Sequence, residues 1–142
     1  MGLSIAEAAQ EIVEEFSMFD DWLDKYQYLI EMGQDLDTLP EAKKSEDNIV
    51  HGCQSQVWLA AEPKSDKIHF TADSDAIITK GLIAMLMRVL SDQRPQEILE
   101  ADLSFIDKIG MREHLSPTRS NGLNAMIKQM KYYALALRQQ AS

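Results

Sequence analysis

Cysteine is nearly missing from this chain: Cys53 is the only one in 142 residues. An intrachain disulfide framework is therefore excluded, and a lone thiol fits a reducing compartment, so a cytoplasmic protein is expected. Metal-ligand spacing is missing too. The histidines are His51, His69 and His114, and none stands at ligand spacing from Cys53; one thiol cannot hold an iron–sulfur cluster alone. Neither a metal nor a bound cofactor is expected. No apolar run approaches the ~20 residues of a membrane span, and Gly81 to Met87 reads as core. The N-terminus shows no cationic stretch ahead of an apolar one, so no signal peptide is expected. Ala6 stands where a myristoylation site needs Ser or Thr. No strand leads into a glycine-rich phosphate loop, which gives no support to a nucleotide-binding domain. Positive charge is scarce, with 14 Lys and Arg against 23 Asp and Glu. An acidic chain repels a phosphate backbone, so a nucleic-acid partner is not expected.

What is present suits one globular domain over residues 1–142, with 45% apolar residues. There is no repeat or long linker. The acidity is concentrated: residues 1–47 hold 13 acids and 3 bases, net −10, and residues 48–142 hold 10 acids and 11 bases, net +1. This reads as a solvated helical surface or as a docking face for a basic partner.

Ser4 and Glu7 have capping-box spacing and predict a first helix through Phe16, with Ile5, Ala8, Ala9, Ile12, Val13 and Phe16 on its apolar face. Asp20 is the expected cap of a second helix carrying Trp22, Tyr26, Leu29 and Ile30 and ending near Gly33. The period then changes. Gln56 to Ala61 and Lys67 to Ala72 read as strands joined by a hairpin loop over Pro63 to Asp66, with a short third strand near residues 48–50. Asp73 or Ser74 is expected to cap a much-buried helix running to Ser91, in which Gly81 signals close packing. Pro95 suits the start of a short helix and residues 104–109 another. Ser116-Pro117 reads as a cap and first position of a last helix carrying Leu123, Met126, Ile127, Met130, Tyr133, Ala134 and Leu137. The order of elements predicts an α+β fold: a small antiparallel sheet of about three strands packed by helices.

Cys53 lies in His51-Gly52-Cys53-Gln54-Ser55-Gln56-Val57-Trp58, at a loop tip before a strand. Gly52 frees the backbone just ahead of the thiol, and loops on rigid scaffolds often carry chemistry. Residue types alone leave Cys53 open between an inert small hydrophobe and a nucleophile. His51 is too close in sequence to serve as its base, since adjacent residues of an extended loop point apart.

The string Gly52-Cys53-Gln54-Ser55-Gln56-Val57-Trp58 resembles the active loop of the SufE family of sulfur acceptors. Asp73-Ser74-Asp75-Ala76 with Lys80-Gly81-Leu82 resembles that family's entry to its central helix, and His114-Leu115-Ser116-Pro117-Thr118-Arg119-Ser120 with Gly122-Leu123 its entry to the last one. The motifs fall in the family's order, and the similarity covers roughly residues 16–138. The resemblance implies a SufE/IscU-like fold and a carrier that takes persulfide sulfur onto Cys53. The donor is a pyridoxal-phosphate-dependent cysteine desulfurase, SufS-like or CsdA-like, and the sulfur passes on to a SufB-like iron–sulfur scaffold. It implies stimulation of the desulfurase without independent turnover, with no membrane or nucleic-acid partner. Gly52, Gln54, Ser55, Asp75 and Arg119 are implied as active-loop and partner-binding residues. Asp75 is expected in the first turn of the central helix, and Arg119 near the start of the last. An adaptor that activates the desulfurase without carrying sulfur is the alternative. His51 is open between tuning the thiol and being incidental, and the resting position of the thiol is open too: burial in an apolar pocket would raise its pKa and suppress reactivity.

Overall fold

The Ser4–Glu7 box forms as its spacing predicts. The Ser4 hydroxyl accepts the Glu7 amide at 3.1 Å and the Glu7 carboxylate accepts the Ser4 amide at 3.0 Å, opening α1 (Ile5–Ser17). The computed structural model describes residues 3–36, 39–53 and 55–141. On α1, Ala8, Ala9, Ile12 and Phe16 are buried. Helix α2 (Trp22–Gln34) is capped one residue later than expected. Asp21, not Asp20, accepts the Asp24 amide at 2.9 Å. Adjacent aspartates offer the same capping chemistry, and it is Asp21 that holds the extended backbone a cap requires.

Strands β1 (Val57–Lys64) and β2 (Lys67–Ser74) pair antiparallel from Val57↔Ser74 to Lys64↔Lys67. Both outrun the sequence pattern, so the hairpin loop shrinks to Ser65 and Asp66. Pro63 is accommodated opposite Ile68 near the end of an edge strand. The expected third strand is a single bridge, Ile49↔Trp58, with the Val50 amide donating to the Val57 carbonyl at 2.8 Å. It goes no further because residues 46–48 wind into a 3-10 turn and the chain reverses at His51-Gly52.

Helix α3 (Ile77–Leu90) is the buried centre, with ten of its 14 residues inside. Its cap corrects the sequence reading: Ala76 holds that position, without a side-chain bond. Asp73 and Ser74 end β2 instead. Ser74 donates its hydroxyl to the Gln56 carbonyl at 2.8 Å, and Asp73 pairs with Lys44 at 2.8 Å and Lys80 at 3.3 Å. The lysines claim Asp73, and Ser74, whose hydroxyl also accepts the Ala76 amide at 3.2 Å, is paired at the end of β2 two residues ahead of the cap position. Burial pulls the Asp73 carboxyl upward, but the Lys44 bond, the Ser74 amide and Lys80 outweigh it and hold the group below its ordinary value.

Two glycines let α2 cross α3. A Cβ on Gly81 would lie 2.4 Å from the Leu29 carbonyl oxygen, and one on Gly33 would lie 2.9 Å from the Gly81 nitrogen. Helices α4 (Pro95–Leu99) and α5 (Phe105–Lys108) follow. In α6 (Pro117–Ala141) the Ser116 hydroxyl accepts the Arg119 amide at 3.2 Å, with Pro117 first in the helix as expected. Leu123, Met126, Met130 and Ala134 of α6 join α1, α3 and the sheet in one core. The result is an α+β arrangement of helices around a two-stranded antiparallel sheet. Among the described residues no helix is long and apolar enough to cross a membrane.

Candidate functional site

The Val50–Val57 hydrogen bond closes a loop whose tip is His51, Gly52 and Cys53. Gly52 sits at φ +97°, a conformation open to glycine and strained for other residues. The turn drops the Cys53 side chain toward α6. Its Sγ lies 3.7 Å from the Gly122 carbonyl oxygen, and a Cβ on Gly122 would be 3.4 Å from that sulfur. A Cβ at that distance is in ordinary van der Waals contact, so the thiol packs directly on the helix at Gly122.

Beyond Cys53 the loop is tied to the entry of α3. The Asp75 carboxylate accepts the Gln56 amide at 3.0 Å, and the Asp75 amide donates back to the Gln56 carbonyl at 3.3 Å. Asp75 thus precedes α3 instead of lying in its first turn, which corrects the expected position while keeping it beside the loop. Ser55 meets Thr79 of α3, hydroxyl to hydroxyl, at 3.3 Å. Cys53, Ser55, Thr79, Arg119 and Gly122 share a cavity of about 160 Å³ between α3 and α6.

Of the expected site residues, Gly52, Cys53, Ser55, Asp75 and Arg119 come together here. Gln54 lies outside the described residues. His51 is exposed on the turn, with no hydrogen bond among the described residues. Arg119 is exposed at the cavity rim and pairs with no carboxylate among them. Thr79 escaped the sequence reading. Its signal was a hydroxyl among the apolar residues at the start of α3, although such a residue serves equally well as ordinary helix packing. Trp58 is half-buried, with the Lys44 ammonium 5.6 Å from its ring centre.

Burial pushes the Cys53 thiol up from its usual value. A thiol kept neutral by burial is a poor nucleophile, because the thiolate is the reacting species. Alkylation of the folded protein by iodoacetamide should therefore rise with pH through a midpoint above the ~8.5 of a free cysteine. In denaturant the midpoint should fall back to that value, and rate profiles of the two states check this. A folded-state midpoint at or below ~8.5 contradicts the burial effect.

The family model of SufE, the Fe-S metabolism associated domain, matches residues 10–134. The chain belongs to the SufE family. A SufE-like protein of Rhizobium meliloti (strain 1021) is 40% identical over 126 residues, spanning 85% of this chain and 90% of that one. One of Rhizobium etli is 40% identical over 126 residues, spanning 85% of each. The solution structure of a Thermus thermophilus protein superposes with a TM-score of 0.76 at 22% identity, covering 91% of this chain and 94% of that one, a likeness of fold. The match to the SufE model takes in every element from α2 to α5, the whole Cys53 loop and most of α6.

Proposed function

We propose that this SufE-family protein is a sulfur carrier of Fe–S metabolism that shuttles Cys53 between thiol and persulfide. The observation that carries this reading is the placement of the chain's only thiol. It sits half-buried on a glycine-hinged loop over a cavity of about 160 Å³. A site for one water-sized particle needs only ~10–15 Å³ of such volume, so an added sulfur atom has room. The chemistry is thiol–disulfide exchange on a persulfide. The Cys53 thiolate attacks the outer sulfur of a donor cysteine persulfide, the donor S–S bond breaks, and the donor leaves as thiolate. An acceptor thiolate then attacks the outer sulfur on Cys53 and the Cys53 thiolate departs.

The donor is a cysteine desulfurase, whose own pyridoxal phosphate performs the carbon–sulfur cleavage; the SUF type is favoured over the CSD type. The acceptor is an iron–sulfur assembly scaffold, and the setting is the cytoplasm. Arg119, exposed and without a carboxylate partner among the described residues, contacts the desulfurase or steers the sulfur-bearing loop. Asp75 restrains the loop through Gln56. Burial keeps the resting thiol protonated, and docking of the donor draws the loop out on its Gly52 hinge. Ser55 moves with it, and Gln54 is proposed as a partner-binding residue.

Intact mass spectrometry tests the reading. After incubation with a desulfurase, cysteine and pyridoxal phosphate, the chain should gain one sulfur atom that a thiol reductant removes. No gain in mass while the desulfurase turns over beside it rejects the carrier role.

A further inference from the structure

Helix α2 ends against its own dipole. Glu31 stands in its last turn and Asp35 is its C-cap, with no basic residue there. Carboxylates are disfavoured at the negative end of a helix. Asp92 places a third carboxylate one residue past the C-cap of α3. All three line one groove of about 470 Å³, far from small for a ligand site. Its apolar wall is formed by Met32, Leu36, Ala84 and Met87. Two basic side chains also line it, and both are engaged. Arg88 bonds Glu15 through two nitrogens and reaches Glu11 at 3.2 Å, and a His69 ring nitrogen lies 2.9 Å from Asp92. Among the described residues neither Glu31 nor Asp35 pairs with a cation. Charge held in a place that opposes helix stability needs a reason outside the helix.

We propose that this groove docks a basic amphipathic segment of a partner protein. An aliphatic side chain of the segment packs on Met32, Leu36 and Met87, and a Lys or Arg meets Glu31 and Asp35. Methionine surfaces adapt to such side chains. The cation also relieves the two helix ends, and the surplus of acids over residues 1–47 favours its approach. The groove uses the second half of α3, residues 84–91, whereas the Cys53 cavity uses residues 76–82. Thr79 and Met87 are separated by about 12 Å along the helix axis at ~1.5 Å per residue. A partner seated in the groove leaves the thiol clear, so the protein can be held at one end while Cys53 exchanges sulfur at the other.

A short synthetic amphipathic peptide of leucine and lysine is the probe, titrated into the isotope-labelled full chain and followed by backbone-amide NMR. Shifts should centre on residues 28–36 and 84–92. The double variant Glu31→Lys/Asp35→Lys should bind the peptide about tenfold more weakly. Reversal of two acids outside the groove, Glu62→Lys/Glu113→Lys, should change affinity less than about twofold. A lysine-only peptide should bind about tenfold more weakly than the amphipathic one. The groove variant should melt at or above the wild-type temperature, because lysine suits a helix C-terminus. The proposal is overturned by absent binding, by shifts scattered over the surface or centred on Cys53, by equal losses in the two double variants, or by equal affinity for the lysine-only peptide.

Discussion

Cys53→Ser should take up no sulfur and should leave a partner desulfurase at its unaided rate of sulfide release. Serine fits the same space over the cavity, so the folded structure should survive with a stability change within about 1 kcal/mol. The chemistry does not survive. A serine hydroxyl is un-ionised at neutral pH and has no base beside it: His51 is exposed on the turn, and Asp75 is committed to the Gln56 amide. Loss of a lone nucleophile removes the covalent step altogether, so the whole stimulation should vanish and the rate fall to background. Sulfide release with equal amounts of desulfurase and either wild-type or variant protein measures it. Stimulation that persists in Cys53→Ser identifies an adaptor instead of a carrier.

Gly81→Ala should destabilise the fold by about 2–4 kcal/mol and lower the melting temperature by roughly 10 °C. In an exposed helix the same change stabilises by about 1 kcal/mol. Here the new methyl would lie 2.4 Å from the Leu29 carbonyl oxygen and 2.8 Å from the Leu29 side chain. Backbone oxygen of a buried helix cannot swing aside, so α2 and α3 must part, and the looser packing outweighs the gain in helix propensity. The effect reaches the site as well, since Thr79 and Leu82 flank Gly81 and line the Cys53 cavity. Faster alkylation of Cys53 should accompany the lower melting temperature. A variant that melts with the wild type refutes the close-crossing account.

Local chemistry was the part most readable in advance. Ser4 with Glu7, Pro95, and Ser116 with Pro117 each state a helix start within a few residues, because a cap needs only near neighbours. The cap of α3 could not be read in the same way. Asp73 and Ser74 look like caps by type, but Asp73 is drawn to Lys44 and Lys80, and Ser74 ends β2 with its hydroxyl on the Gln56 carbonyl and the Ala76 amide, so the helix begins further on. The third strand failed for a related reason. Its residues suit an extended chain, yet only Ile49 finds a strand to bridge.

Cys53, Gly52 and the polar run behind them could be singled out as a reactive loop from the residues and their likeness to the SufE family. Composition likewise ruled out a disulfide scaffold, and the pattern of periods set the α+β class. Only the tertiary structure placed Gly122 under the sulfur, set Thr79 against Ser55, and raised the thiol's pKa by burying it. Hydrogen bonds within a turn are decided by residues a few positions apart. How deep a side chain sits, and what it then touches, is decided by elements as far apart in the chain as residues 53 and 122.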